Sequence, residues 1–192
     1  ETIEACAADL IDYTERLVRA EIAGWPDDIW SWLAEHNWLI SVNADTNGWS
    51  SWPGVLERFP ELRLLVSHLG EPPASTSTPE PETTAAALQT VTELVQFPGV
   101  SVKLSGFYAI SDPGHDYPHQ AGWPYVEQLV TAFGSDRLLW GSDFPPCLDC
   151  LSFPQTIDLF DKMPFLDLKD VAAITGGNLL ALLDAVRRPD PA

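Results

Sequence analysis

Four short apolar runs, each bounded by turn-forming residues, alternate along the chain with longer amphipathic segments. Runs of this length and composition are typical of buried β-strands, and we predict strands at residues 38–44, 62–70, 100–108 and 137–144. Apolar residues at helical spacing predict helices around these strands. The predicted helices cover residues 3–23, 29–36, a short segment ending near Pro60, 85–97, 125–133, 156–162 and 168–186, the last broken at 176–178.

This alternation of strands and helices predicts right-handed crossovers and a parallel α/β sheet. Residues 71–86 are rich in Pro, Ser and Thr and lack periodicity, which predicts a long loop within one domain spanning residues 1–192. The strand count alone does not decide the architecture. A closed (β/α)8 barrel has twice as many strands in about 250 residues, and no predicted strand is followed by the glycine-rich phosphate loop of many doubly wound folds.

The chain is strongly acidic, with a formal net charge of -18. This charge argues against a nucleic-acid or anionic-membrane partner, since both require basic surface. It fits an ordinary acidic cytosolic protein and, equally well, adaptation to high salt, where repulsion is screened. No apolar run reaches membrane-spanning length and no signal peptide opens the chain, so we expect a soluble, cytoplasmic protein.

Polar side chains stand at the carboxyl ends of all four predicted strands, the edge at which parallel α/β proteins place their chemistry. They are Asn43 on the first strand, His68 on the second, Lys103 and Ser105 on the third, and Asp143 on the fourth. Alternation along the third strand places Lys103 on the face opposite Val102, so we expect the lysine to point inward. A buried lysine needs a partner, and Asp143 is the candidate.

Each of these residues also has a purely structural explanation. His68 could be an ordinary buried histidine, Lys103 could extend to solvent, and Asp143 could cap the turn after its strand. Taken one at a time, the structural explanations are favoured. The occurrence of all three residues at equivalent strand ends favours a shared functional site.

Two other spacings are typical of metal or redox sites. His115 and His119 lie four residues apart, but neighbouring Gly and Pro residues disfavour a helix, so we predict loop residues near the cleft. Cys147 and Cys150 form a C-x-x-C, but no second pair completes a zinc ribbon. With Cys6 the count is odd, which does not suggest a disulfide framework. A redox pair is possible, and we favour cysteines of a loop near the cleft.

Four segments of the sequence resemble the amidohydrolase-related family of metal-dependent hydrolases, in particular its lactonase-like branch. They are "RFPELRLLVSHLGEPP", "VSVKLSGFY", "YVEQLVTAFGSDRLLWGSDFPP" and "ITGGNLLALL", and the resemblance covers residues 29–183. It implies a TIM-barrel (β/α)8 fold, of which this chain carries about the last four βα units.

The resemblance also implies roles for the strand-end residues. His68 matches a histidine that binds metal or substrate, and Asp143 matches an aspartate that binds metal or takes a proton from the attacking water. Lys103 and Ser105 belong to the "KLSG" segment, which implies substrate binding or charge stabilisation, and we expect Asn43 and Tyr108 to contact substrate as well. Zinc or manganese would suit His and Asp ligands.

One family feature is absent from the sequence. The H-x-H pair that the family carries on its first strand occurs nowhere in the chain. Because this pair is missing, we expect the site to be completed by a missing N-terminal half or by a homo-oligomer. The reaction that the resemblance implies is hydrolysis of a lactone or other ester of a small organic acid or sugar. The alternatives are a metal-dependent decarboxylase of the same family and a non-catalytic half-barrel.

Overall fold

The computed structural model describes residues 25–45 and 48–186. The predicted helix at residues 3–23 and Cys6 lie outside these described residues. The helices are α1 (Asp27–Glu35), α2 (Pro53–Arg58), α3 (Pro81–Thr92), α4 (Phe107–Ile110), α5 (Trp123–Phe133), α6 (Gln155–Asp158), α7 (Leu168–Ala172) and α8 (Asn178–Asp184). The strands are β1 (Leu39–Val42), β2 (Arg63–Val66), β3 (Val100–Leu104) and β4 (Leu138–Trp140).

The four strands form one parallel sheet in the order β1-β2-β3-β4, which confirms the predicted parallel α/β arrangement. The outer face of the sheet packs against the helices. Its apolar side chains, such as Val66, Val102 and Leu104, are fully buried in one core with Leu88 of α3 and Leu129 of α5. Alternation along β3 is as predicted, because Lys103 lies on the opposite, inner face and is half-buried.

Each strand is shorter than the sequence predicted, because the backbone turns before the polar residues. β2 ends at Val66, and His68 and Leu69 then adopt left-handed backbone conformations with φ of 51° and 57°. β4 ends at Trp140, and Asp143 has a φ of 55°. The side chains of His68 and Asp143 therefore stand on turns at the sheet edge and not within the strands.

Two helical predictions need correction. The helix predicted from residue 85 begins at Pro81, a residue favoured in the first turn, so the Pro/Ser/Thr-rich loop ends at Glu80. The break predicted at residues 176–178 is absent, because a π-helical turn (Ala173–Gly177) joins α7 to α8. The side-chain amide of Asn178 donates to the carbonyl oxygens of Ser135 and Leu138, which ties this helix to the start of β4.

Two arginines secure the end of the sheet opposite to the polar edge. Arg63 donates to the carbonyl oxygens of Asn37 and Leu182, at 2.8 and 2.7 Å. Arg137 donates to the carbonyl oxygens of Phe133, Val95 and Phe97. Both guanidinium groups thus hold backbone segments together. None of the described helices is long and apolar enough to cross a membrane.

Candidate active site

A cavity of about 510 Å3 opens at the carboxyl ends of the strands. It is lined by Asn43, His68, Glu71, Pro72, Gly106, Tyr108, Ala109, Ile110 and Asp143. Four residues predicted from the sequence, Asn43, His68, Tyr108 and Asp143, therefore come together although they follow four different strands. Glu71 was missed, because it lies inside the segment predicted as a loop, although its position three residues after His68 was a usable signal.

His68 and Asp143 face each other across this cavity. Nε2 of His68 lies 3.9 Å from Oδ1 of Asp143, and the two side chains are 20% and 24% exposed. The other ring nitrogen, Nδ1, is hydrogen-bonded to the hydroxyl of Ser105 at 2.9 Å. Because Ser105 is only 1% exposed, it contacts His68 from below and does not reach the cavity surface. The buried hydroxyl thus orients Nε2 toward Asp143.

Tyr108 holds the second oxygen of Asp143. Its hydroxyl donates a hydrogen bond of 2.6 Å to Oδ2, leaving Oδ1 on the side of His68. Burial, this hydrogen bond and the negative charge of Asp143 raise the pKa of the Tyr108 phenol well above its usual value. The phenol is therefore protonated at neutral pH and acts as the donor. We predicted Tyr108 as a substrate contact, and the structure adds this direct bond to Asp143.

The backbone around the site is strained. The left-handed conformation of His68, Leu69 and Asp143 is unfavourable for residues with a side chain, and such strain clusters at functional sites. Gly106 has a φ of +73°, and a Cβ atom there would lie 2.9 Å from Nδ1 of His68. Only glycine lets the turn after β3 approach the imidazole this closely.

Lys103 lies below the cavity on the inner face of the sheet. Its aliphatic chain packs on Gly141, where a Cβ atom would come within 2.8 Å of Cδ. Burial lowers the pKa of Lys103, and the negative charge of Asp143 partly opposes this shift. Within residues 25–45 and 48–186, the ion pairs closer than 4.0 Å do not include Lys103. The predicted attraction to Asp143 is therefore present without direct contact.

The histidine pair of the following loop lies outside the cavity. His115 is exposed at the protein surface. His119 is fully buried between the rings of Phe107 and Tyr117. Neither of these histidines lines the cavity.

The types of donor atom in the cavity suit a metal ion, but there are too few of them to complete a metal site. A histidine nitrogen and a carboxylate oxygen facing one cavity are donors that zinc and manganese accept. Protein zinc sites use three or four protein ligands. The described part of the chain contains no group of three or more His, Cys, Asp or Glu side chains that could hold a metal ion. These residues alone therefore do not complete a metal site.

Relatives of known structure share this fold. A zinc-bound amidohydrolase from Burkholderia multivorans matches with a TM-score of 0.69 and 22% identity, over 81% of this chain and 55% of that one. A Pseudomonas putida protein, assigned as a 2-pyrone-4,6-dicarboxylic acid hydrolase, matches with a TM-score of 0.60 and 20% identity, over 80% of this chain and 54% of that one. The chain spans about half the length of these proteins.

Sequence comparison identifies the family. An L-fucono-1,5-lactonase from Burkholderia ambifaria is 35% identical over 88 residues, which are 46% of this chain and 28% of that enzyme. The sequence profile of the amidohydrolase family matches residues 11–184, which is most of the chain. The chain therefore belongs to the amidohydrolase family, and its four parallel strands are part of a TIM barrel of that family.

Proposed function

We propose that this cavity is part of an active site that hydrolyses a lactone of a sugar or small organic acid by attack of water. One observation carries the proposal. Asp143 has one carboxylate oxygen held by Tyr108 and the other directed at His68 across an open cavity. This arrangement suits a base and a carbonyl-polarising group acting on the same substrate.

In this proposal Asp143 activates the water. Tyr108 occupies Oδ2, so Oδ1 is the acceptor for the proton of the attacking water. A water molecule hydrogen-bonded to Oδ1 would lie beside Nε2 of His68, which is 3.9 Å from Oδ1 and stays available for the substrate. Its oxygen then attacks the lactone carbonyl as the proton passes to Asp143.

His68 acts on the carbonyl oxygen. When Ser105 donates to Nδ1, the ring proton is on Nε2, which faces the cavity. Nε2–H can then donate to the oxygen that becomes negatively charged as the carbonyl is attacked. Ring opening of the lactone releases a hydroxy acid.

The charges around the cavity favour a neutral lactone over a dicarboxylate. Glu71 and Asp143 both line it, and the described residues that line it include no arginine or lysine. Arg63 and Arg137 are bonded to carbonyl oxygens at the opposite end of the sheet. Polar groups such as Asn43 and Glu71 suit the hydroxyls of a sugar lactone. The similarity to the L-fucono-1,5-lactonase supports the same substrate class.

Further βα units complete the site in this proposal. Within the described residues, β1 and β4 each pair with one strand only. The exposed large apolar side chains lie in the segments outside β1 and β4, and the described residues between these strands contain none. They are Trp25, Ile29, Trp32 and Trp38 before β1, and Phe144, Leu148, Phe153, Leu168, Leu179, Leu180 and Leu183 after β4. Docking of the remaining barrel units at both edges would bury these side chains.

The same units would supply the missing metal ligands. In that form His68 would carry its ring proton on Nδ1, donate it to Ser105, and leave Nε2 as a metal ligand beside Asp143. A zinc or manganese ion held there would polarise the carbonyl or the attacking water. The binding partner that we propose for this cavity is a small-molecule substrate.

Product analysis tests this proposal. The protein, alone and together with the remaining barrel units, is given L-fucono-1,5-lactone and, in a separate assay, an aromatic or unsaturated carboxylic acid, and acid and carbon dioxide release are both followed. Acid release without carbon dioxide is the expected result. Carbon dioxide release from an aromatic or unsaturated acid, with no lactone cleavage, would replace the lactonase by a decarboxylase. If the protein turns over neither substrate, alone or with the remaining barrel units, it is a non-catalytic half-barrel.

A further inference from the structure

Cys147 and Cys150 lie on one tight turn directly after Asp143. Cys147 is in the 3-10 helix Pro146–Asp149 and Cys150 directly follows it, and the amide of Cys150 donates to the carbonyl oxygen of Cys147 at 3.1 Å. In a 3-10 helix the side chains of residues three apart lie above one another. At a rise of about 2.0 Å per residue their Cα atoms are separated by about 6 Å, which is within the range that disulfides span.

We propose that Cys147 and Cys150 form a redox-active dithiol that closes to a disulfide next to the turn that carries Asp143 when a peroxide is present. This inference stands apart from the proposed lactonase activity, because it rests on the geometry of the two cysteines alone. Both thiols are free in the structure, Cys147 being buried and Cys150 partly exposed.

The two thiols differ in their exposure to solvent, and this difference determines which sulfur reacts with the peroxide first. Cys147 is 1% exposed, so its sulfur is shielded from solvent. The partly exposed Cys150 is therefore the sulfur that a peroxide reaches first.

The reaction then proceeds in two balanced steps. The Cys150 thiolate attacks a peroxide oxygen, giving a sulfenic acid and hydroxide, which takes up the thiol proton to become water. The Cys147 sulfur attacks the sulfenic sulfur, loses its proton, and expels the sulfenic oxygen as water. Hydrogen peroxide is reduced to two water molecules, and the two thiols are oxidised to one disulfide.

The dithiol is connected to the candidate active site through the backbone. The amide of Cys147 donates to the carbonyl oxygen of Asp143 at 3.1 Å. Cys150 packs against the segment that follows Tyr108, because a Cβ atom on Gly114 would lie 3.2 Å from its Sγ and 2.7 Å from the carbonyl oxygen of Tyr108. A disulfide would hold its sulfurs about 2.05 Å apart and so restrain the turn that carries Asp143.

Thiol mapping tests the inference. The reduced protein is treated with hydrogen peroxide, its remaining thiols are alkylated, and the masses of the tryptic peptides are measured by mass spectrometry. Cleavage after Arg137 and Lys162 places Cys147 and Cys150 in one peptide, away from Cys6. The expected result is that this peptide is not alkylated and that its mass is lower by two hydrogen atoms than the mass of the reduced, unalkylated peptide. Cys6 is expected to be alkylated.

Three variants sharpen this test. Cys147→Ser and Cys150→Ser should each abolish the mass loss, whereas the matched control Cys6→Ser should keep it. Alkylation of both cysteines after peroxide treatment, or a disulfide that involves Cys6, would overturn the inference. Hydrogen exchange at residues 141–151 should slow on oxidation of the wild-type protein. An unchanged exchange rate there would contradict the claim that the disulfide restrains the turn that carries Asp143.

Discussion

The hydroxyl of Tyr108 lies 2.6 Å from Oδ2 of Asp143 and thereby determines which carboxylate oxygen faces His68. Without this bond the carboxylate could rotate and present either oxygen to the cavity. Tyr108 therefore has a positioning role toward Asp143, in addition to its place in the cavity lining.

Replacement of Tyr108 by Phe tests this role. Hydrogen bonds to charged groups contribute about 1.5–3 kcal/mol, so we expect kcat to fall roughly 10- to 100-fold with little change in KM. Steady-state kinetics on a sugar lactone measures both constants. Tyr117→Phe, outside the cavity, should leave them unchanged. Wild-type kcat in Tyr108→Phe would show that Asp143 does not need the phenol.

Replacement of Ser105 by Ala removes the hydrogen bond to Nδ1 of His68. We expect a loss of about 1 kcal/mol in the free energy of unfolding and a shifted pH profile of kcat, because the imidazole loses its orienting partner. Ser101→Ala is the matched control, since Ser101 is also buried on the inner face of β3. Urea titration and the pH–rate profile supply the measurements. Identical profiles for the two variants would contradict the orienting role.

Replacement of Gly106 by Ala should disturb His68. Its φ of +73° and the 2.9 Å approach of a Cβ atom to Nδ1 predict a destabilisation of about 1–3 kcal/mol. Gly54→Ala is the control, because a Cβ atom there meets nothing within 4 Å and α2 accommodates alanine. The melting temperatures of both variants, measured by thermal unfolding, test this prediction. Equal melting temperatures would mean that the turn after β3 can move away from His68.

His119 predicts a specific dependence of stability on pH. The ring is fully buried, neither nitrogen has a hydrogen-bond partner within the described residues, and burial lowers its pKa despite the charge of Asp116. Below the unfolded-state pKa of about 6.5, the unfolded chain therefore takes up a proton that the folded protein does not. This contribution should make the protein less stable as the pH falls from neutral.

His119→Phe removes this proton uptake and suits the neighbouring rings of Phe107 and Tyr117. The difference in free energy of unfolding between about pH 7 and pH 5 should be smaller in this variant than in the wild type. His115→Gln, at an exposed position, should keep the wild-type difference. A pH dependence that His119→Phe leaves unaltered would exclude His119 as its source.

The sequence was informative where the signal is local. Apolar runs revealed the four strands, and polar residues at their ends pointed to His68 and Asp143 before any geometry was available. The bond between Tyr108 and Asp143 was not predictable, because the direction of Tyr108 depends on the left-handed turn at Gly106. The continuous last helix was missed for a related reason: the side chain of Asn178 is held by the carbonyl oxygens of Ser135 and Leu138, which lie 43 and 40 residues earlier in the sequence.

Replacement of Asp143 by Asn shows whether Asp143 is the base of a lactone hydrolysis. The amide keeps the shape of the side chain and cannot accept the proton. Lactone hydrolysis by this variant is compared with that of Asp161→Asn, which changes an exposed carboxylate. We predict loss of at least about 100-fold in kcat for Asp143→Asn, an unchanged melting temperature, and wild-type activity for Asp161→Asn. Near-normal turnover by a folded Asp143→Asn variant would show that Asp143 is not the base.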